Sequence, residues 1–213
     1  MGMHFGLVAV KADVAQLVEA FSIAWPRHEL KTRGDVAGVG ALGAWMSAHA
    51  RFVSAAKWTP DNPAIDTYGF WQDGDWAILL DPDFVRAADS TGLAVLGERF
   101  GRALSFVIET AGATAMFWQF DGGRVSRHVS FQSGEMHAEG DRLPQEDGLP
   151  SDCFYMNEME SLQRAFGITP VDALSGDHPV QGVAYVDRTD YAALREARRQ
   201  RAATAAGQGG EPT

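Results

Sequence analysis

A chain of 213 residues with 46% hydrophobic and 22% charged residues has the composition of a globular protein large enough for a real core. Its single cysteine, Cys153, excludes an internal disulfide framework and fits a reducing, cytoplasmic setting. The net charge of −10 is unevenly spread: residues 58–187 hold 21 acidic and seven basic groups, while each flanking segment sits at +2. A middle region this negative repels nucleic acid and anionic membrane and attracts a basic partner.

Met1–Val10 lacks the basic and long apolar parts of a signal peptide, and no apolar run approaches the roughly 20 residues of a membrane helix. His4–Val10 is a nearly continuous apolar run and predicts a strand buried on both faces. Asp13 is a good N-cap for a helix from Val14 to about Trp25, with an apolar stripe at Val14, Leu17, Val18 and Phe21, ended by Pro26. Residues 27–40 read as a basic, glycine-containing connection carrying Arg27, Lys31 and Arg33. Gly38, Gly40 and Gly43 match the spacing of a dinucleotide-binding fingerprint. That motif follows a strand directly, however, and here the preceding residues are polar, so a loop leading into a packed helix over 41–57 is expected.

After the turn-rich break at 59–63, a hairpin is expected over Tyr68–Leu80, with Asp73-Gly74 as its turn and Trp71 opposite Trp76. Asp81-Pro82-Asp83 opens a helical region to about Phe100, interrupted near residues 90–92. Ala103–Glu109 is a strand, and Thr114–Asp141 reads as three strands joined by turns at Gly122-Gly123 and Ser133-Gly134. Two-residue turns fix the pairing. The first sets Phe120 against Val125, Trp118 against Arg127 and Met116 against Val129. The second sets Phe131 against Met136, Ser130 against His137 and His128 against Glu139. One face then collects Met116, Trp118, Phe120, Val125, Val129, Phe131, Met136 and Ala138, with Arg127 a misfit expected at a sheet edge with its stem over the indole.

A loop over 141–152, a short helix from Asn157 to Phe166 and a last strand at Val180–Val186 follow. Thr189 then caps an arginine-rich helix to about Arg201. The expected class is α+β: a mainly antiparallel sheet (hairpin 68–80 and meander 103–139) packed by N-terminal, middle and C-terminal helices. Residues 1–187 are expected to form a single domain, followed by the helix at 188–201 and a disordered tail at 202–213.

No sequence pattern of a hydrolase elbow, zinc protease, phosphate loop or paired-cysteine motif occurs, and no catalytic residue or cofactor is assigned. Asp73, Asp75, Asp81 and Asp83 lack the order of a calcium loop. The face carrying His128, His137 and Glu139, with Glu135 beside them, has the residue types for a divalent metal or for acid–base chemistry near neutral pH. The same types also suit an ordinary polar sheet face. The aromatic-acidic block around Trp71, Asp73, Asp75 and Trp76, together with Glu135 and Glu139, is the candidate partner surface, because aromatics anchor interfaces and carboxylates steer a basic partner.

The order of a Trp-bearing hairpin, helix, strand and Asp-Gly-Gly meander, then Gly-Asp-Arg-Leu-Pro-Gln-Glu at 140–146, resembles small bacterial cytosolic proteins of the toxin-immunity type over roughly residues 66–148. The resemblance implies a non-enzymatic α+β protein that neutralises a cognate toxin, often a basic nuclease. Two other readings stand beside it: a metal-dependent enzyme or small-ligand protein using the His128/His137/Glu139 face, and a subunit of a larger cytosolic assembly attached through the arginine helix. Oligomeric state is left open by the residues.

Overall fold

The computed structural model describes residues 4–54 and 56–208. Its strands are β1 (His4–Lys11), β2 (His28–Val36), β3 (Ala64–Asp73), β4 (Trp76–Asp81), β5 (Arg102–Glu109), β6 (Thr114–Asp121), β7 (Arg124–Gln132), β8 (Glu135–Glu139) and β9 (Val180–Asp187). All nine join one antiparallel sheet in the order β2-β9-β3-β4-β1-β5-β6-β7-β8, so the α+β class with a mainly antiparallel sheet holds. The late strand β9 lies between two early ones and so ties the C-terminal part of the chain into the sheet.

The helices are α1 (Val14–Ala24), α2 (Val39–His49), α3 (Ser90–Phe100), α4 (Met156–Ala165) and α5 (Tyr191–Gln208). Among the described residues, no helix is long and apolar enough to cross a membrane. Asp13 caps α1 as expected, its backbone N–H donating to the Gln16 side chain at 3.0 Å. α1 and α3 cover the first sheet face, with Leu17, Phe21, Leu93 and Leu96 over Val8, Val10, Phe70 and Leu79. α2 and α4 cover the second, where Leu42, Met46, Met159 and Leu162 meet Leu7, Ile78, Phe106 and Phe117. Alternate residues of β1 therefore enter opposite cores, which explains its unbroken apolar run.

Small residues set how closely α2 approaches. Gly34, Gly182 and Gly69 are register partners across β2, β9 and β3. A Cβ on Gly182 would lie 2.4 Å from the Trp45 ring, and one on Gly69 would lie 2.4 Å from Leu42. The glycine row is the bed on which Trp45 and Leu42 lie.

Six sequence expectations are corrected, two of them helix bounds: the helix expected over 41–57 ends at His49, and the helical region expected from Asp81 begins only at Ser90, after turns over 82–89. Residues 28–36 are not a loop but the edge strand β2; its outward Lys31 and Arg33, which made it look like a linker, are the charges that keep a free edge from pairing with other chains. The hairpin turn is Gly74-Asp75, because Gly74 takes the positive φ (57°) and Asp73 stays in the strand opposite Trp76. Trp71 therefore faces Ile78, and the Trp71–Trp76 cross-strand pair does not form.

In the meander both turns are as expected, with φ of 54° and 81° at Gly122 and Gly123. A bulge at Ser126 then moves the register by one, pairing Gln119 with Arg127, Trp118 with His128 and Met116 with Ser130. Ser126 is held there by its hydroxyl, which donates to Asp121 at 2.7 Å. The supposed single apolar face thus splits: Met116, Trp118 and Phe120 go to the first core, while Val129, Phe131 and Met136 go to the second, where they join Phe117. Finally, α5 runs through Gln208, so the tail expected from residue 202 begins as helix; residues 209–213 lie outside the described residues.

Candidate functional site

Two regions gather chemistry. The first is built where β2, β3, β9, α5 and the segment after β4 meet. Asp81 ends β4 and turns the chain by accepting backbone N–H groups from Arg86 (2.6 Å) and Ala87 (3.0 Å). This aims the Arg86 side chain into the sheet end, where its Nη2 lies 2.7 Å from His28 Nε2 and 3.5 Å from Asp66 Oδ2, and its Nε donates to the Tyr68 hydroxyl at 3.2 Å. Asp187 lies behind, accepting from the Thr189 backbone N–H at 2.8 Å and from the Tyr191 hydroxyl.

His28 and Asp187 are buried, as is Asp81. Burial pushes the Asp81 carboxyl up to about 6, against the pull of the N–H groups it accepts. Burial likewise raises Tyr68, and raises Tyr191 to about 12 with help from its bond to Asp187. Asp187 itself is held low: burial works against its charge, but its hydrogen bonds to Thr189 and Tyr191 outweigh it. For Arg86, burial opposes the charge while Tyr68, Asp66 and Asp187 hold the guanidinium above its ordinary value.

The donor atoms of His28, Asp66 and Asp187 lie within 4.8 Å of one another, a spacing that suits a metal ion. The Arg86 guanidinium already supplies the positive charge among them, so the cluster closes as an ion-paired hydrogen-bond network that fastens α5 and the 82–89 segment to the sheet. Beside it opens a cavity of about 420 Å³ with Asp66 and Arg86 in its lining and Phe52, 92% exposed, at its rim. Sequence reasoning missed this network because its members are scattered over 160 positions at strand ends and share no local pattern. The one available signal was a polar residue closing each apolar strand: Asp81 after Ile78-Leu79-Leu80 and Asp187 after Tyr185-Val186.

The second region is acidic. Between residues 133 and 180, ten acidic residues stand against two basic ones, a net of −8 within a chain total of −10. These residues form the edge strand β8, the loop after it and the α4 side of the sheet; Glu135, Glu139, Asp141, Asp147, Asp152, Asp172 and Asp177 are exposed. The loop is anchored by Arg127, which is buried on the second face rather than lying at an edge over Trp118. Its Nε and Nη2 reach Glu146 at 2.8 and 2.7 Å, and its Nη1 donates to the Gly140 carbonyl at 2.8 Å. The bulge at Ser126 is what turns Arg127 to this face.

The residues singled out by sequence do not form one surface. Trp71 and Trp76 are 1% and 5% exposed and belong to the second core, so neither can meet a partner at the surface. Asp73 accepts from the Thr169 backbone N–H and hydroxyl, tying the β3–β4 turn to the strand-leading loop. Asp75 is exposed but lies five strands, roughly 24 Å, from β8. Glu135 and Glu139 remain, exposed at the two ends of the edge strand β8. His128, His137 and Glu139 share a sheet face as expected, with His128 opposite Glu139. Among the described residues, however, their donor atoms do not converge as a three-ligand group. His128 packs against the Trp118 ring at 5.2 Å, and desolvation there lowers its pKa despite the opposing charge of Glu139.

The glycine trio now has a strand before it and α2 after it, but β2 pairs only antiparallel with β9. Gly38 is instead required by packing: its φ is 116°, and a Cβ there would collide with the Gly176 carbonyl. No protein-family model, curated protein or solved structure matches the chain.

Proposed function

We propose that this is a non-enzymatic binding protein of the cytoplasm that receives a basic protein partner along β8 and the neighbouring acidic loop. The concentration of negative charge between residues 133 and 180 carries this reading. A free strand edge offers unpaired backbone groups, and the carboxylates of Glu135, Glu139 and Asp141 around it favour lysine and arginine on the incoming chain. Such a field raises encounter rates by roughly 10- to 1,000-fold and makes them fall with salt. A basic toxin neutralised by an immunity protein is a partner of this chemistry, in line with the sequence resemblance.

The test is capture of partners from the native host at low and moderate salt, using wild type, a Glu135→Gln/Glu139→Gln/Asp141→Asn variant and an Asp75→Asn control. The expected result is one stoichiometric basic protein, weakened by salt, lost in the triple variant and kept by the control. A partner retained by the triple variant, or no partner even at low salt, refutes the reading.

A further inference from the structure

The cavity of about 420 Å³ beside the Arg86 network exists because β3 outruns β4. β4 stops at Asp81, while β3 extends back to Ala64 and takes Arg51 as its partner instead, through backbone bonds of 3.0 and 2.9 Å between Arg51 and Ile65. Residues 50–53 and the turns at 82–86 wall the space this leaves, and its volume falls within the roughly 300–1,000 Å³ of small-molecule sites. Among the described residues six large hydrophobic side chains are exposed, and two of them, Phe52 at 92% and Val85 at 53%, line this one cavity. Exposed apolar side chains gathered at a concave site give an apolar body something to cover.

The charges at the inner end of the cavity do not balance. Arginine only donates hydrogen bonds, so His28 Nε2 accepts from Arg86 Nη2 at 2.7 Å and the imidazole is uncharged. That leaves one guanidinium against two carboxylates, Asp66 and Asp187, which lie 3.1 and 3.9 Å from the same imidazole nitrogen. Arg51 and Arg188 are turned elsewhere, to the Pro63 carbonyl and to Glu29, and the exposed Asp83 adds a further negative charge to the lining. Asp66 is the member of the network that an incoming group can reach, since its side chain is 34% exposed and lines the cavity. Both of its contacts, with His28 and Arg86, fall on Oδ2, and a carboxylate has about four acceptor positions, so it can take a further donor. We infer that this cavity binds a small organic cation, a protonated primary amine on an apolar body, with the ammonium on Asp66 and the body against Phe52 and Val85. The aromatic rings of Phe52 and Tyr191 in the lining attract the same charge. The site is separate from the acidic β8 edge and does not depend on the protein-partner reading.

The experiment is calorimetric titration of wild type, Asp66→Asn and Phe52→Ala with phenethylamine, with thermal midpoints measured alongside. Phenethyl alcohol, which has the same body without the charge, and hydrocinnamate, which has the opposite charge, are titrated in parallel. Asp66→Asn keeps the shape of the side chain and an oxygen for Arg86. Phe52 is so exposed that its truncation leaves the fold alone, which keeps the test decisive should Asp66→Asn be unstable. Expected are saturable one-to-one binding of phenethylamine by wild type, affinity for the alcohol lower by about tenfold or more, and hydrocinnamate weaker still. Asp66→Asn should lose about tenfold for phenethylamine, and Phe52→Ala about two- to fivefold with its midpoint kept. The alcohol or hydrocinnamate bound as tightly as the amine, or amine affinity unchanged in either folded variant, overturns the inference. No saturable binding of phenethylamine by folded wild type overturns it as well.

Discussion

Removing one member of the Arg127–Glu146 pair should be among the most damaging single changes in the molecule. The two side chains are 6% and 5% exposed and meet in a two-point contact of 2.8 and 2.7 Å. In Glu146→Ala the guanidinium stays buried with the Gly140 and Glu139 carbonyls but no counter-charge, and the Leu143 N–H also loses its acceptor. Breaking a buried pair from one side costs about 3–5 kcal/mol, a large share of the roughly 5–15 kcal/mol that holds a domain folded. For a chain of this length that is a fall of about 6–20 °C in Tm. Replacing both partners, as Arg127→Met/Glu146→Leu, removes the uncompensated charge and should recover most of the loss. Urea unfolding of the three proteins measures this directly through the midpoint and slope. A loss below about 1 kcal/mol in Glu146→Ala, the scale of an exposed pair, would show that water reaches the guanidinium. A double variant no better than the single would place the energy in the carbonyl contacts and refute the charge argument. The same variants touch the proposed function, since this pair anchors the loop that follows Glu139.

Two further outcomes follow from the geometry. Asp81 has its carboxyl raised from 3.8 to about 6, so its contribution to stability is full below about pH 4 and is lost as pH rises through 6. In Asp81→Asn, whose side-chain oxygen can still accept from Arg86 and Ala87, stability should lose this slope; the wild-type-minus-variant difference in unfolding free energy should change by about 2 kcal/mol between pH 4 and 6.5, and a flat difference contradicts the assignment. Gly182→Ala drives a Cβ to 2.4 Å from the Trp45 ring, which is itself stacked on His49 at 4.1 Å; it should cost about 1–3 kcal/mol by denaturant unfolding and be partly relieved by Trp45→Ala, whereas strictly additive losses would mean that α2 does not rest on the glycine row.

Local chemistry was enough to set most elements of this protein. An unbroken apolar run marked β1 as buried on both faces, Asp13 marked the start of α1, and glycines able to take positive φ marked the meander turns. These are properties of a few neighbouring residues, so they are written in the chain. What the tertiary structure alone decided was everything that one residue of register or a distant partner controls. The Ser126 bulge moved the rest of β7 to the opposite face from the one its turn implied, burying Arg127, because a side chain's face changes with every single-residue step. β2 became a strand because β9, some 150 residues later, pairs with it; its own polar residues gave no sign of that partner. The network around Arg86 likewise exists only where separate elements meet, so no stretch of sequence contains it. The acidic charge was legible by counting, but its gathering on one sheet edge and one covering layer, away from the buried Trp71 and Trp76, required the packing of β8 and α4. Burial decides which side chains a partner can touch, and burial is a property of the assembled fold.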